Sequence, residues 1–357
     1  MNDDIAPVIA RLRSQAHEFW PETTPEDFQI VRHLARPYSN VYRLRLVCRH
    51  EPSTHFVYAK ILAPAKKFQT VPEKYLTRLA SEFDAGQRLH KALCLEKEFA
   101  IIKPVACYPE FLAIVSEEAP GESLANLIAR EAKLYSSAGK LERLAEHCRR
   151  AGHALAAIQK VTAEVSRFEP AELLEYVDLR LQRLLESRQV PFAAADRQQI
   201  IKFLENAIPV IPAEQLLVSG THGDYAPFNL LAAPEKITVA DFTMFKSGSV
   251  YNDLTYFYHR LEGYLHKPFY RPPTIRHLQK AFLNGYAEAS SETKPAWRVS
   301  NDLLFKIFLI KHVVNNYSAI MRQRVVTNGK KISFPVQVFN QHVFRRYNRW
   351  LNLFCQI

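Results

Sequence analysis

Residues 221–257, THGDYAPFNLLAAPEKITVADFTMFKSGSVYNDLTYF, set three oxygen-bearing side chains around a short hairpin pattern. Asp224 comes first and Asn229 follows five residues later. Two apolar runs, FNLLAA (228–233) and KITVADF (236–242), are split by Pro234-Glu235, which reads as a pair of strands joined by a turn. Asp241 stands at the end of the second. Asp, Asn and Asp are hard oxygen donors of the kind Mg²⁺ takes, because that ion prefers few carboxylates and keeps room for other oxygens. A carboxylate at the end of a short loop can also accept a proton from a hydroxyl group. Gly223, directly before Asp224, opens backbone conformations closed to other residues. Each residue taken singly is an ordinary turn former; the joint spacing carries the reading.

Upstream, the first third alternates like strands around one helix. FQIVRHL (28–34), VYRLRLVCRH (41–50) and HFVYAKIL (55–62) are rich in β-branched and aromatic residues. The turn between the first two is RPYSN (36–40), with Pro37 fixing the backbone. The helix EKYLTRLASEFDAGQRLHKAL (73–93) carries Leu76, Leu79, Phe83, Gly86, Leu89 and Leu93 on one stripe. FAIIKPVACY (99–108) and EFLAIVSEE (110–118) read as two more strands, giving the order β-β-β-α-β-β. Lys60 lies inside an apolar strand, where burial is costly unless the charge is paired. Glu82 sits on the inward stripe of the helix, with Glu73 as a weaker alternative partner. At Ala119-Pro120-Gly121 the pattern turns to helical periods, which predicts domains at 1–118 and 119–357.

Composition bounds the rest. The chain has 357 residues, 48% of them hydrophobic, enough for two packed units and against wholesale disorder. The N-terminus lacks an apolar secretory core, and the five cysteines are scattered without zinc-ligand spacing; both point to reduced thiols and a cytoplasmic setting. Lys and Arg total 47 against 36 acids, a net charge of +11. From residue 301 onward nine basic residues face one acid, so most of the excess is C-terminal. HVFRRYNRWLNLF (342–354) is a basic amphipathic segment, able to touch an anionic membrane surface or glycan, or to pack Phe344, Trp350, Leu351 and Phe354 inward. No nucleic-acid motif accompanies the charge.

The motif His222-Gly223-Asp224 with Asn229, followed by Asp241-Phe242, resembles the aminoglycoside phosphotransferase and choline kinase-like family. The resemblance implies an α+β, bilobal protein-kinase-like fold: a small N-terminal antiparallel sheet with one helix, and a larger, mainly helical C-terminal lobe. It implies a phosphotransferase using ATP (GTP left open) and Mg²⁺, with Asp224 as catalytic base, and Asn229 and Asp241 holding the metal. Lys60 would touch the nucleotide phosphates with Glu82 holding it, and His222 would brace the loop. Asp253 would support the catalytic loop from below. Ser39 and Asn40 fall in the phosphate-covering loop, and backbone groups from Glu117 to Ala119 in the hinge that meets the adenine edge.

The sequence departs from that pattern in three places. RPYSN has no glycine where many relatives carry one or two, Phe228 replaces a common glycine, and Thr243 stands where an acid is frequent. The first departure motivates an alternative reading, a kinase-like regulatory module with weak turnover. A protein kinase fits less well, since HGD replaces the HRD-type loop and no activation segment follows Asp241. The basic C-terminus favours a neutral or anionic acceptor, such as a sugar, sugar phosphate or glycolipid head, over a polycationic aminoglycoside. Tyr225, Phe228 and Tyr251 are candidate walls of the acceptor site.

Overall fold

Alternating β-branched residues near the N-terminus do form strands, and the residues beyond 120 form mostly helices. The computed structural model describes residues 4–36, 39–48, 55–62, 73–187, 190–290, 301–326 and 334–355. In chain order the elements begin α1 (Ala6–Ser14), α2 (Ala16–Phe19), β1 (Asp27–Arg36), β2 (Ser39–Val47), β3 (Phe56–Leu62) and α3 (Glu73–Ala92). β4 (Phe99–Ile101), β5 (Pro104–Tyr108), β6 (Ala113–Glu117), β7 (Glu122–Ser123) and α4 (Leu124–Glu131) follow. Then come α5 (Ala138–Val161), β8 (Glu164–Arg167), α6 (Ala171–Ser187), α7 (Ala194–Ala207) and β9 (Leu217–Thr221). The hairpin β10 (Leu230–Ala232) and β11 (Ile237–Val239) precedes β12 (Lys246–Ser249) and α8 (Tyr251–Glu262). The last helices are α9 (Pro272–Ala289), α10 (Leu303–Val326) and α11 (Phe334–Phe354).

Contacts divide the chain into two units. The first holds Met1–Asn126, His222–Asp224 and Phe228–Lys246; the second holds Leu127–Thr221, Tyr225–Pro227 and Ser247–Ile357. Parts of the segment expected in a 119–357 domain therefore group with the N-terminal residues. The reason is a backbone ladder: β10 pairs antiparallel with β7, and β11 pairs parallel with β4.

The first unit is built on an antiparallel sheet in the order β1-β2-β3-β6-β5. Because successive side chains point to opposite faces, each strand serves two layers. One face buries Phe28, Tyr42, Leu44, Leu46, Val57, Ala59 and Val115 against Ile5 and against Val8 and Leu12 of α1. The other packs Leu62 and Ile114 against Leu79 of α3, with Phe83 alongside. The single helix expected on this sheet is thus joined by a second. α1 has nine residues and no side-chain cap, too short to be stable alone, so its helicity depends on packing that its sequence scarcely announces. Leu76, assigned to the inward stripe of α3, is 39% exposed.

FAIIKPVACY is not one strand. Ile102 donates its N–H to Val239 O, and Pro104, which has no N–H to give, opens a separate strand paired with β6. The VYRLRLVCRH strand ends at Val47, and residues 49–50 lie outside those described. Pro37 and Tyr38 of the β1–β2 turn lie outside them as well.

In the second unit, α5 packs along α9 at two glycines. A Cβ on Gly152 would fall 2.0 Å from Phe282 O, and one on Gly285 would fall 1.9 Å from Arg149 O, so only glycine permits this approach. A three-stranded sheet, β12-β9-β8, was not foreseen; its strands are four or five residues long and mixed in polarity. α11 buries Val343, Phe344, Tyr347 and Leu351 at helical spacing, while Arg345 and Arg349 are exposed. Trp350 and Phe354, expected inside, are half-buried and stacked on each other at 4.3 Å. Arg322, Arg324, Lys330 and Lys331 have side chains outside the described set. Among the described residues no helix is long and apolar enough to cross a membrane.

Candidate active site

Every residue of the central cluster belongs to the first unit. Lys60, on β3, points to the α3 face of the sheet. Its Nζ donates to Glu82 Oε1 and Oε2 at 3.0 and 3.2 Å and to Asp241 Oδ1 at 2.8 Å. Burial pushes the Lys60 ammonium toward losing its proton, but the Glu82 and Asp241 carboxylates outweigh this and hold its pKa above the ordinary value. Burial likewise pushes the Asp241 carboxyl up; Lys60 and the hydroxyl of Thr243 more than reverse it, to about 2. Both groups are therefore charged across neutral pH. Glu73, the alternative partner, is exposed at the first turn of α3.

Thr243 is a member of this cluster that its position only hinted at. Its Oγ1 accepts from Lys60 Nζ and lies 2.7 Å from Glu82 Oε2 and within hydrogen-bond reach of Asp241 Oδ1. Where an acid would add charge, a neutral hydroxyl knits together the three ionic groups.

Asp241 has a left-handed backbone, φ 68°, rare for a residue with a side chain. Such a conformation is held only by its surroundings. Ala240 donates its N–H to Asn229 O at 3.0 Å, and its carbonyl accepts from His222 Nε2 at 3.0 Å. His222 is fully buried, its ring 4.8 Å from that of Phe242, and its Nδ1 accepts the Asp224 N–H at 3.3 Å. One imidazole thus ties the Asp224 loop to the Asp241 strand end. Gly223 sits at φ +78°, and a Cβ there would meet Met244 O at 2.5 Å. Both constraints require glycine.

Asp224 is half-buried. Asn229 Nδ2 donates to its carbonyl at 2.9 Å and to its Oδ2 at 3.2 Å. This fixes the amide so that Oδ1 faces away from the carboxylate. Asn229 Oδ1 and Asp241 Oδ2 have no partner among the described residues, and both side chains line one cavity. Two unengaged hard oxygens fit a divalent cation such as Mg²⁺.

That cavity measures about 360 Å³. Its sheet wall follows the period of two: Leu34 and Arg36, Ser39 and Val41, Tyr58 and Lys60, Ile114 and Ser116 all face it. Glu118, Ala119, Gly121, Phe228, Asn229, Asp241 and Phe242 complete most of the lining. Phe228 therefore walls this cavity. Glu118 is held by Arg43 through two bonds of 2.7 Å.

One sequence expectation ends elsewhere, and a second is narrowed. Asn40 is one residue from Ser39 and so faces the opposite side of the sheet, where its Nδ2 donates to Asp4 Oδ2 at 2.7 Å. Glu117 pairs with Lys103 at 2.6 Å, and its N–H goes to Lys103 O. Glu118 likewise gives its N–H to Phe56 O, which leaves Ala119 as the hinge residue whose N–H has no partner among the described residues.

In the second unit, Tyr225 is fully buried and donates to Ala151 O at 2.6 Å, and Tyr251 donates to Asp302 Oδ2 at 2.6 Å. Tyr225 is thus an internal brace, whereas Tyr251 also lines a second cavity of about 300 Å³ within this unit. Asp253 is fully buried at the start of α8, and its charge acts on the Tyr225 hydroxyl, whose pKa is raised first by burial and then by this carboxylate. All five cysteines are free thiols; Cys148 and Cys355 are buried.

This fold has solved counterparts. A choline kinase from Cryptosporidium parvum superposes with a TM-score of 0.57 at 11% identity, over 98% of this chain and 97% of that one. A choline/ethanolamine kinase family protein from Mesorhizobium loti gives 0.53 at 15% identity, over 95% and 93%. An amicoumacin kinase in complex with AMP-PNP and Ca²⁺ gives 0.52 at 13%, over 95% and 93%. These likenesses establish the protein-kinase-like fold. A comparison with curated protein sequences returns no match. The sequence pattern of the phosphotransferase enzyme family (APH) matches residues 69–298, more than half of the chain and inclusive of Glu82, Asp224, Asn229 and Asp241, so the chain belongs to that family.

Proposed function

We propose that this phosphotransferase moves the γ-phosphoryl group of ATP, with Mg²⁺, to a hydroxyl of a small neutral or anionic molecule. The observation that carries the reading is the Lys60–Glu82–Asp241 cluster at one wall of a 360 Å³ cavity, a volume suited to a small ligand. Lys60 offers its ammonium to the α- and β-phosphate oxygens, and Glu82 keeps it extended toward them. Asn229 Oδ1 and the Asp241 carboxylate hold the metal, which when bound neutralises charge on the phosphate oxygens. Asp224 orients the acceptor hydroxyl and takes its proton. Ala119 serves the adenine edge with its N–H. A structural counterpart carrying AMP-PNP and Ca²⁺ supports a nucleotide and a divalent cation on this fold. Catalysis of this kind comes from positioning and charge neutralisation.

The charge of the last 57 residues speaks against a polycationic acceptor, because like charges repel on approach. The test is ATP-dependent phosphorylation of a panel of sugars, sugar phosphates, amino alcohols and glycolipid heads, with ADP release as readout. Asp224→Asn should lower kcat on the active acceptor by about 10³-fold or more while ATP binding persists, general base catalysis accounting for roughly 10²–10⁴. No turnover on any member, together with no ATP-induced rise in melting temperature, would sink the proposal.

A further inference from the structure

The acids of the nucleotide cavity are already matched: Glu118 by Arg43, and Glu82 and Asp241 by Lys60. One cation lining the same cavity is not. Arg36 ends β1 with an exposed side chain, and among the described residues its guanidinium makes no hydrogen bond or ion pair.

We propose that Arg36 binds the distal phosphates of the nucleotide through its side-chain charge, beside a turn whose sequence, RPYSN, offers no glycine. This rests on the nucleotide reading above. Strand register gives the direction. Ser116 pairs with Tyr58, Ile114 with Lys60, and Lys60 with Val41, which in turn faces Leu34. Two residues further along the same ladder, about 7 Å, Leu62 pairs with Ser39 and Ser39 with Arg36. The cavity wall thus runs from Ser116 and Ala119 at one end, through Lys60, to Ser39 and Arg36 at the other.

A nucleotide whose base meets Ala119 and whose proximal phosphates meet Lys60 carries its remaining phosphates toward Arg36. Ser39, buried beside Arg36, adds a hydroxyl donor on the same wall. A guanidinium suits this place because its planar fork of donors matches two phosphate oxygens at once and keeps its charge at any physiological pH.

The experiment titrates wild type, Arg36→Ala and Arg36→Lys with ATP and AMP by calorimetry at fixed salt, and records the melting temperature of each free protein. For Arg36→Ala we expect about a tenfold loss in ATP affinity, the size of one charge-assisted contact at a solvent-exposed site. AMP affinity and the free-protein melting temperature should stay at the wild-type values, and Arg36→Lys should fall between. Equal ATP affinity in wild type and Arg36→Ala would overturn the inference, as would a parallel loss of ATP and AMP. Wild type binding neither nucleotide would instead overturn the nucleotide reading and Arg36 with it.

Discussion

Replacing Lys60 by Met tests the cluster through its electrostatics without needing the acceptor. Methionine keeps the length and apolar stem of the side chain but removes the charge that holds two carboxylates together. Lys60 is 22% exposed, Glu82 10% and Asp241 40%. A fully buried pair broken at one partner costs about 3–5 kcal/mol, and an exposed one under about 1. The solvent at Asp241 screens part of the loss, so we expect about 2–3 kcal/mol at pH 7, a drop of roughly 3–4 °C in melting temperature for a chain of 357 residues.

The pH dependence is more telling than the size. In wild type the Asp241 carboxyl lies at about 2 against an ordinary 3.8, so its stabilisation is complete above 3.8 and vanishes only as pH falls through about 2. Lys60 is shifted upward, so its contribution is complete below its ordinary 10.5 and disappears only in stronger alkali. Between pH 7 and pH 4.5 the wild-type cluster is therefore flat. In Lys60→Met the burial that pushes the Asp241 carboxyl up is no longer offset by Lys60, which raises its pKa. Acidification then relieves the variant alone, and the gap in melting temperature should narrow as pH drops to 4.5. A gap that stays constant or widens over that range would refute the electrostatic account, and urea unfolding at the same two pH values checks it independently.

Two further substitutions separate roles within the motif. Gly223→Ala places a Cβ 2.5 Å from Met244 O at a left-handed φ, so we expect about 2 kcal/mol of destabilisation and a matching fall in turnover, read by thermal melts and ADP release. Tyr225→Phe removes the hydroxyl bond to the Ala151 carbonyl, which keeps its helical partner in α5, and should cost about 1 kcal/mol, while KM for the acceptor stays at its wild-type value. A large rise in that KM would restore Tyr225 as an acceptor contact.

Legibility followed chemistry more than shape. The Lys60–Glu82 pair could be found because a lysine in an apolar strand needs a partner and Glu82 lies on the stripe that faces the sheet. Thr243 could not be placed in the same way. A threonine beside an aspartate is unremarkable, and only its distances to Lys60 and Glu82 make it part of the cluster. Asn40 adjoins Ser39 in sequence, yet neighbours in a strand point to opposite faces. At the hinge, the Glu117 N–H and carboxylate are engaged by Lys103, and only the structure shows this. α1 was missed for lack of a strong period, being held by the sheet it covers.

By itself the sequence carried the motif His222-Gly223-Asp224 with Asn229 and Asp241, whose resemblance implies the protein-kinase-like fold and the family, because motif spacing is local and survives in one dimension. The tertiary structure alone decided which face of each strand looks into the cavity, that Asp241 is held at positive φ beside the His222 brace, and that Arg36 is unmatched among the described residues while the acids of its cavity are paired. Those outcomes depend on ladder register and on partners distant in sequence, such as Lys60 and Asp241, and no local pattern encodes a separation of that kind.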